Sequence, residues 1–458
     1  MLKNLFKRNR TTLLLVFLGF LFYVKFGYDL NRNDFIGLIT LFGALFYITY
    51  KILEINKDRF WLVAIIGIIF RFIFIASLPN LSQDFYRFIW DGRLIFKGVS
   101  PYLFTPENFL NGDHKPLNLI IHQAEELYHG MGQLNAGHYS NYPPINQLCF
   151  LLAALFSGNS ILGSVIVMRV LIILADIGIL FYGRKLLLKL NLNPNQLFWY
   201  FLNPFIIIEL TGNLHFEGVM LFFLVTSIYL LHLKKWIQSA VLFGLAVSVK
   251  LIPLLFLPLF YKWFATNFNK YIQKLFYYYL LIIGTTLLTF TPFLSFLFLN
   301  NFLETLTLWF QDFEFNASMY YIFRWIGFKI VGWNMIATIG KILPLLIILS
   351  ILLLTFFKKN RSTPQLMTTL LFGVSIYFVF STTVHPWYIA SPLLLSVFTK
   401  YKFATIWSFF VMLSYGAYSS DITTENLWLV ALEYLAVIGF FVWEVNKFRK
   451  KSLIRSNS

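Results

Sequence analysis

The chain has little of what a soluble protein needs in water. Only 12% of its 458 residues are charged and 58% are hydrophobic, whereas soluble domains carry about 25% charged residues. Cys149 is the only cysteine, so an intrachain disulfide is excluded. The sequence contains no low-complexity tract, no convincing internal repeat and no separate soluble domain. These absences exclude a soluble globular protein and a disulfide-linked framework.

Uncharged apolar runs take the place of the missing charge, for example residues 13–24, 221–231 and 343–357. Crossing the hydrocarbon layer takes about 20 mostly apolar residues, and a charge at its centre is costly. We therefore predict an all-α polytopic membrane protein, a single integral domain over residues 1–458 with about 12–14 transmembrane helices. Residues 1–59 are predicted to form an N-terminal helical hairpin.

The net charge of +17 could indicate a nucleic-acid partner, but the positions of the basic residues argue against one. Most of the 37 lysines and arginines lie in short hydrophilic joints between apolar runs. Basic loops stay on the cytoplasmic side of a membrane. The surplus of basic residues therefore predicts an orientation in which both termini are cytoplasmic. We expect the protein to lie in a bacterial plasma membrane.

Two segments, 79–142 and 295–335, are too polar to be spans and too long to be simple turns. Long loops of this kind are usually functional or disordered. The first one carries many aromatic residues among its charges, so we expect it to fold on the outer side and to carry amphipathic helices. The apolar stretch 142–157 is short for a span and is predicted to be a re-entrant or surface helix.

The core of the first outer segment, residues 81–102, has the signals of a short helix. Ser82 suits a helix cap and Gly98 a helix stop. On such a helix Asp84 and Asp91 share one face, two turns and about 10 Å apart. We predict a helix that lies on the outer leaflet and directs its carboxylates towards a cavity of the protein.

These side chains suit glycosyl transfer. An acceptor hydroxyl must lose its proton as it attacks, and a positioned carboxylate can take it. Asp84 is the candidate base, and Asp91 is a candidate for orienting the acceptor or the base. The departing phosphate needs a cation, for which Arg87 and Arg93 are candidates. The alternative is a solvated helix on which Asp84 and Arg87 form an ordinary ion pair.

Further ionisable residues lie at or near membrane depth. An apolar hairpin, 238–263, is predicted to break near Pro253, beside Lys250. A charge there is a functional candidate that could bind a lipid phosphate, unless it reaches an interface. His215 and Glu217 are predicted to face the outer space and are candidates for binding the phosphate or sugar of the donor. His385 begins an inward span, where it could donate to a phosphate or sugar oxygen or simply be a polar helix start.

Aromatic and polar residues of the second outer segment suit weak binding of an acceptor sugar, although an interfacial aromatic belt would look the same. Arg324 of this segment is another candidate for the phosphate. The histidines of the first segment lack the close spacing of metal ligands, so neither a metal nor a cofactor is expected. The acceptor candidates are Trp309, Asp312, Glu314 and Asn316, together with Tyr102 of the first segment.

Several short motifs occur in a fixed order along residues 60–400. They are DFYRFIWD at 84–91, GVSPY at 98–102, YPP at 142–144, NP at 203–204, GN at 212–213 with Glu217, VKLIP at 249–253 and HPWY at 385–388. The ordered set resembles the GT-C membrane glycosyltransferases. It is most similar to the polyprenyl- or dolichyl-phosphate-mannose-dependent mannosyltransferases, including the enzyme that adds the first mannose to glycosylphosphatidylinositol anchors.

The resemblance implies a polyprenyl-phosphate-sugar donor, a glycolipid or glycan acceptor, an inverting single displacement and an acidic catalytic residue that maps to Asp84. It also implies that mannose is the sugar and that no nucleotide-sugar site is needed. The first two spans precede the usual first helix of the family and have no assigned role. The alternatives are a lipid or sugar flippase and a polysaccharide polymerase or ligase.

Overall fold

A computed structural model describes residues 2–111, 120–311, 313–419 and 423–456. Within these ranges the protein is helical and has no β-strand, only an isolated parallel bridge between Phe315 and Thr383. The prediction of an all-α protein is confirmed. The side chains of residues 2–8, 111, 309–311 and 451–456 are outside the description.

Twenty-one α-helices follow one another along the described chain. They are α1 Leu2–Tyr28, α2 Phe35–Ile55, α3 Phe60–Ile73, α4 Asp84–Phe96, α5 Pro106–Asn111, α6 Ala124–Ala136, α7 Pro144–Ser157, α8 Ile161–Lys189, α9 Phe198–Phe201, α10 Pro204–Ile206, α11 Glu217–His232, α12 Trp236–Val249, α13 Tyr261–Asn267, α14 Tyr271–Phe290, α15 Phe296–Gln311, α16 Met319–Val331, α17 Ile336–Phe357, α18 Thr363–Phe380, α19 Ala390–Val397, α20 Phe403–Phe410 and α21 Leu427–Ser456. Five 3-10 segments, Pro194–Leu197, Ile252–Phe260, Thr291–Phe293, Pro386–Ile389 and Val411–Tyr418, and one π-helix, Ile207–Gly212, complete the set.

Seven helices of the described chain are long and apolar enough to cross a membrane, and an eighth crossing is possible through a bent pair. The chain is therefore a multi-pass membrane protein. The number is smaller than the predicted 12–14, because five further apolar helices have only 10–17 residues. The seven spans are Asn9–Tyr28, Phe35–Ile55, Ile161–Lys189, Tyr271–Phe293, Ile336–Phe357, Thr363–Phe380 and Leu427–Lys450.

The bent pair lies in the centre of the protein, where every residue from 200 to 221 is buried. The chain breaks at Asn203 and Pro204, and Ile207–Gly212 winds as a π-helix. Proline has no N–H to donate, and the Asn203 side chain accepts from the N–H of Phe205 at 3.0 Å. Pro204–Gly212 and Glu217–His232 then meet at 114°. π-Turns inside helices are frequent at functional sites.

Two buried arginines hold this broken region. Arg71 of α3 donates to Asp176 of α8 at 2.7 Å, and both side chains are fully buried. Arg169 of α8 donates at 2.8 Å to the carbonyl oxygens of Thr211 and of Gly212. The carbonyl groups at the end of the π-helix thereby gain donors that lipid could not supply. Neither arginine was singled out from the sequence.

The predicted helix of the first outer segment is present as α4. The backbone N–H of Asp84 donates to the Ser82 hydroxyl at 3.3 Å, and the helix ends just before Gly98, whose φ is +76°. The helix does not lie on a surface, however, since nine of its thirteen residues are buried. α7 lies so close that a Cβ on Gly92 would come within 2.2 Å of the Phe150 carbonyl oxygen. α4 is therefore an internal element.

Two other local predictions can be compared with the structure. α12 ends at Val249, and Lys250 has an extended backbone with φ −149° and ψ 141°, so the predicted break occurs there. α7 has fourteen residues and rises about 21 Å at 1.5 Å per residue, which is shorter than the hydrocarbon layer. A re-entrant or surface position for α7 stays a prediction.

The second outer segment contacts the HPWY motif through its backbone. The N–H of Phe315 donates to the carbonyl oxygen of Thr382 at 3.1 Å. The N–H of Val384 donates to the carbonyl oxygen of Phe315 at 2.8 Å. The rings of Phe315 and His385 are 5.4 Å apart. The isolated bridge therefore places this segment beside His385.

Candidate active site

Asp84 opens α4 and is half-buried. The Asn135 amide of α6 donates to Asp84 Oδ1 at 3.3 Å. Burial raises the pKa of this carboxyl group, while the Asn135 hydrogen bond and the positive charges of Lys250 and Arg32 oppose that shift. A carboxylate with a raised pKa therefore lies close to two cations that are distant in sequence.

Asp91 has a different environment, although it is on the same helix. It is fully buried, and Arg87 Nε donates to its Oδ1 at 2.8 Å. The Ser140 hydroxyl and the Gln147 amide both donate to its Oδ2. The Asp91 carboxylate is thus surrounded by donors of the protein itself.

Arg87 links the two aspartates. Besides its ion pair with Asp91, its Nη1 donates to the carbonyl oxygens of Asn135 and of His138, the latter at 2.9 Å. Asn135 in turn donates from its side chain to Asp84. These contacts fix the end of α6, where Asn135 holds the Asp84 carboxylate. They also occupy the guanidinium group of Arg87, which was a candidate for binding the phosphate.

Glu217 and Lys250 meet beside Asp84. Glu217 is the first residue of α11, fully buried, and its carboxylate forms an ion pair with Lys250. The Lys250 ammonium group also lies 5.2 Å from the centre of the Tyr388 ring. Residues from the start of α11, the end of α12 and the HPWY motif therefore lie close together.

An aromatic stack forms the neighbouring wall. Trp387 lies between two histidine rings, 3.6 Å from the centre of His215 and 4.6 Å from that of His385, at interplanar angles of 14° and 6°. Burial and the charge of Lys250 lower the pKa of His215 well below its usual value and that of His385 to about 3. Both imidazoles are therefore neutral at physiological pH.

Glu209 is a further candidate for the site that was not predicted from the sequence. It is fully buried on the π-helix, where the Tyr415 hydroxyl donates to both of its oxygens at 2.9 and 3.1 Å. Its Oε2 lies 3.9 Å from Nε2 of His215. A glutamate inside an otherwise apolar run is a functional candidate in a membrane protein, and that signal was present in the sequence.

Arg32 is a second missed residue, from the turn between α1 and α2. Its guanidinium carbon lies 3.3 Å from the centre of the Tyr418 ring. Its charge acts on Asp84 and also lowers the pKa of His385. An arginine in a hydrophilic turn is ordinary in sequence, so no signal could have singled it out.

Two predicted site residues, Arg93 and Tyr102, have structural partners in or next to the first outer segment. Arg93 donates to the carbonyl oxygen of Asn159 at 2.8 Å and to the Gln123 side chain at 3.2 Å. The Tyr102 hydroxyl donates to the carbonyl oxygen of Tyr142 at 2.6 Å, and its ring is fully buried. Both residues tie the segment together.

The predicted residues of the second outer segment form a separate cluster. Glu314 forms an ion pair with Arg324 and accepts a hydrogen bond from the Tyr320 hydroxyl. Asn316 is fully buried, and its backbone N–H donates to the Glu425 carboxylate at 2.6 Å. Arg324 thus has a counter-ion in its own segment.

Some predicted positions are beyond the description. Asp312 lies outside the described residues, as does the side chain of Trp309. Within the described ranges, no group of three or more His, Cys, Asp or Glu side chains is arranged to hold a metal ion.

A family model covers the part of the chain that builds most of this site. Residues 32–266, slightly more than half of the chain, match the model described as alpha-(1->6)-mannopyranosyltransferase, N-terminal domain. The chain belongs to this mannosyltransferase family. Family membership supports transfer of mannose, and hence a sugar donor and a glycan acceptor. No curated protein shows significant similarity to the chain.

The limits of the match add two facts about this mannosyltransferase-family protein. Asp84, Glu217 and Lys250 lie inside the matched range, whereas His385 lies beyond it. The match begins in the turn before α2, so α2 is part of the family domain and only α1 precedes it. This corrects the expectation that both first spans lie outside the family pattern.

Proposed function

We propose that the protein transfers mannose from a polyprenyl-phosphate-linked donor to a hydroxyl group of a glycolipid or glycan acceptor on the non-cytoplasmic side of the membrane. The observation that carries the proposal is the position of Asp84, half-buried at the start of α4 and near Lys250 and Arg32. A base and cations are the two requirements of this transfer. The family match supports mannose as the sugar.

The proposed reaction is a single displacement. The acceptor oxygen attacks C1 of mannose while Asp84 takes its proton, and the bond between C1 and the phosphate oxygen breaks with its electron pair on the leaving polyprenyl phosphate. The configuration at C1 inverts in such a step, so the α-(1→6) linkage of the family name would require a β-linked donor. A raised pKa makes Asp84 a better proton acceptor than an ordinary carboxylate.

Lys250 and the neutral His385 are the predicted phosphate ligands that remain suitable. Lys250 supplies charge beside Asp84, and a neutral imidazole can donate one N–H to a phosphate oxygen. His215 and Glu217 complete the wall by holding Trp387 and Lys250 in place. Arg87, Arg93 and Arg324 are assigned to structural contacts instead, because each already has protein partners.

Asp91 is proposed as a positioning residue. It holds Arg87, Arg87 holds the backbone of Asn135, and Asn135 holds the Asp84 carboxylate. This is the base-orienting role that the sequence analysis considered for it. The acceptor is proposed to approach along the second outer segment, because Phe313 and Phe315 lie 6.1 and 5.4 Å from the His385 ring.

The bent helix pair favours one alternative, since broken helices line the midplane sites of many transporters. Purified protein in vesicles should be given polyprenyl-phosphate mannose, glucose or galactose, with guanosine-diphosphate mannose as the nucleotide-sugar control. We expect release of polyprenyl phosphate, with mannose appearing on the acceptor, from the first donor only. Movement of an intact labelled donor across the membrane would indicate a flippase. A separate arm supplies a polyprenyl-pyrophosphate-linked oligosaccharide, and transfer from this donor alone, with release of polyprenyl pyrophosphate, would indicate a polymerase or ligase.

A further inference from the structure

We infer that Arg32, in the turn between α1 and α2, binds the phosphate group of the lipid-linked donor, which makes the N-terminal helical hairpin part of the active site. The inference rests on the proposed function and adds a residue to its phosphate site. It also gives the first two helices, 2–28 and 35–55, a role that their sequence did not suggest.

The geometry of Arg32 suits an anion. Its guanidinium group lies over Tyr418, with the carbon 3.3 Å from the ring centre. The guanidinium group carries a planar fork of N–H donors that matches the oxygens of a phosphate. Its Nε is buried without a hydrogen-bond partner among the described residues. A buried donor of this kind is costly unless a ligand satisfies it.

The turn that carries Arg32 is attached to the segment that carries Asp84. The Asn80 amide donates to the carbonyl oxygens of Phe26 and Leu30 at 2.7 and 3.0 Å. Asn80 is four residues before Asp84 in the chain. These hydrogen bonds therefore fix the position of Arg32 relative to the candidate base, Asp84.

The electrostatics place Arg32 at the same site as Lys250. Both positive charges act on Asp84, and both act on His385. Since Coulomb interactions weaken with distance, both cations lie near the candidate base and the HPWY motif.

A comparison of charges explains why Lys250 alone would be insufficient. Lys250 forms an ion pair with Glu217, so much of its charge is already offset. Within the described part of the chain, Arg32 has no carboxylate within ion-pair distance. The phosphodiester of the donor carries one negative charge, and the released monoester carries about −1.5 to −2 at pH 7. Arg32 supplies the uncompensated positive charge for that increase.

The test compares Arg32→Gln, Arg32→Lys and a matched control, Lys25→Gln, with the wild type. Lys25 is an exposed cation at the end of α1 that pairs with Asp29. Binding of polyprenyl phosphate and of the uncharged polyprenol is measured on purified full-length protein. We expect Arg32→Gln to weaken polyprenyl phosphate binding by about 10- to 100-fold and to leave polyprenol binding unchanged. Arg32→Lys should weaken phosphate binding less, because lysine keeps the charge but loses the fork of donors.

A second variant, Tyr418→Leu, distinguishes a loss of phosphate binding from a folding defect. Tyr418→Leu keeps Arg32 but removes the ring over which it lies. We expect weaker polyprenyl phosphate binding with polyprenol binding retained. Loss of both ligands together in Arg32→Gln and Tyr418→Leu would indicate a purely structural role and overturn the inference.

Two further outcomes separate the possible failures. If Arg32→Gln binds polyprenyl phosphate like the wild type while the wild type transfers mannose, the inference is wrong and the proposed function stands. If the wild type neither binds polyprenyl phosphate nor releases it from a donor, the proposed function fails and the inference with it. Competition by phosphatidylglycerol vesicles forms the last arm. If Arg32→Gln loses binding to phosphatidylglycerol but keeps its binding of polyprenyl phosphate, Arg32 anchors a bilayer lipid, which also overturns the inference.

Discussion

The two outer segments carry the same kinds of side chain in different environments. In the first, Asp84 lies near Lys250 and Arg32, which come from distant parts of the chain. In the second, Glu314 pairs with Arg324 only ten residues away and accepts from a nearby phenol. One carboxylate faces long-range partners, and the other is enclosed by its own segment.

The difference indicates which carboxylate can act on a substrate. The contacts described for the Asp84 side chain use Oδ1, so Oδ2 is available to an acceptor hydroxyl. Both oxygens of Glu314 are occupied, Oε1 by Arg324 and Oε2 by Tyr320. A group whose lone pairs already have partners must break a contact before it can accept a proton. We therefore assign chemistry to the first segment and loop stabilisation to Glu314.

Asp84→Asn is the strongest test of this comparison. We expect transfer to fall by several decades, beyond the roughly 10²–10⁴ often credited to acid–base assistance, while expression and donor binding stay near normal. The amide keeps the shape of the side chain but cannot take the proton. Transfer is measured as labelled mannose on the acceptor.

Glu125→Gln is the matched control for Asp84→Asn, since Glu125 is an exposed carboxylate in α6 of the same segment. It should transfer mannose like the wild type. Near-normal transfer by Asp84→Asn would remove Asp84 as the base.

Asp91→Asn should affect stability more than chemistry. The change leaves Arg87 as a buried cation without its counter-ion, and breaking a buried pair costs about 3–5 kcal/mol. We expect a marked fall in the thermal unfolding midpoint in detergent, with much of the transfer activity retained per folded molecule. Normal stability combined with a loss of transfer as large as that of Asp84→Asn would make Asp91 the catalytic carboxylate instead.

Asn135→Leu tests the hydrogen bond that supports the base. This bond lowers the pKa of Asp84 against the effect of burial, so its loss raises that pKa further. A general base works only when deprotonated, and transfer is therefore lost as the pH falls through the Asp84 pKa. We expect the acidic limb of the pH profile to move to higher pH, with roughly tenfold slower transfer near neutrality.

Gln133→Leu, at an exposed position of α6, is the control for Asn135→Leu and should leave the pH profile in place. An unchanged acidic limb in Asn135→Leu would mean that the base is not Asp84 or that Asn135 does not contact it during the reaction.

Glu314→Gln should have the smallest effect. The Glu314 and Arg324 side chains are 26% and 21% exposed, and ion pairs near the surface contribute about 0–1 kcal/mol. We expect transfer within about threefold of the wild type. A loss of a hundredfold or more would place the Glu314 carboxylate in the active site and contradict the division between the two carboxylates.

Much of the local structure was predictable because its signals are local. Ser82 and Gly98 mark the two ends of α4, and the helix is found between them. The break at Lys250 was likewise expected. The number of spans was not predictable, because helices of 10–17 apolar residues can be buried in protein instead of crossing lipid. The internal position of α4 also escaped prediction, since it depends on α7 packing against Gly92.

The sequence by itself determined a polytopic helical membrane protein and the residue types of a transferase site, because apolar length and helix caps act over a few residues. Tertiary structure alone decided which charges are free to react. It placed Asp91 among buried donors and brought Arg32 to a ring 386 positions further along the chain. Partner choice between distant residues depends on how the helices pack, and no short stretch of sequence encodes that packing.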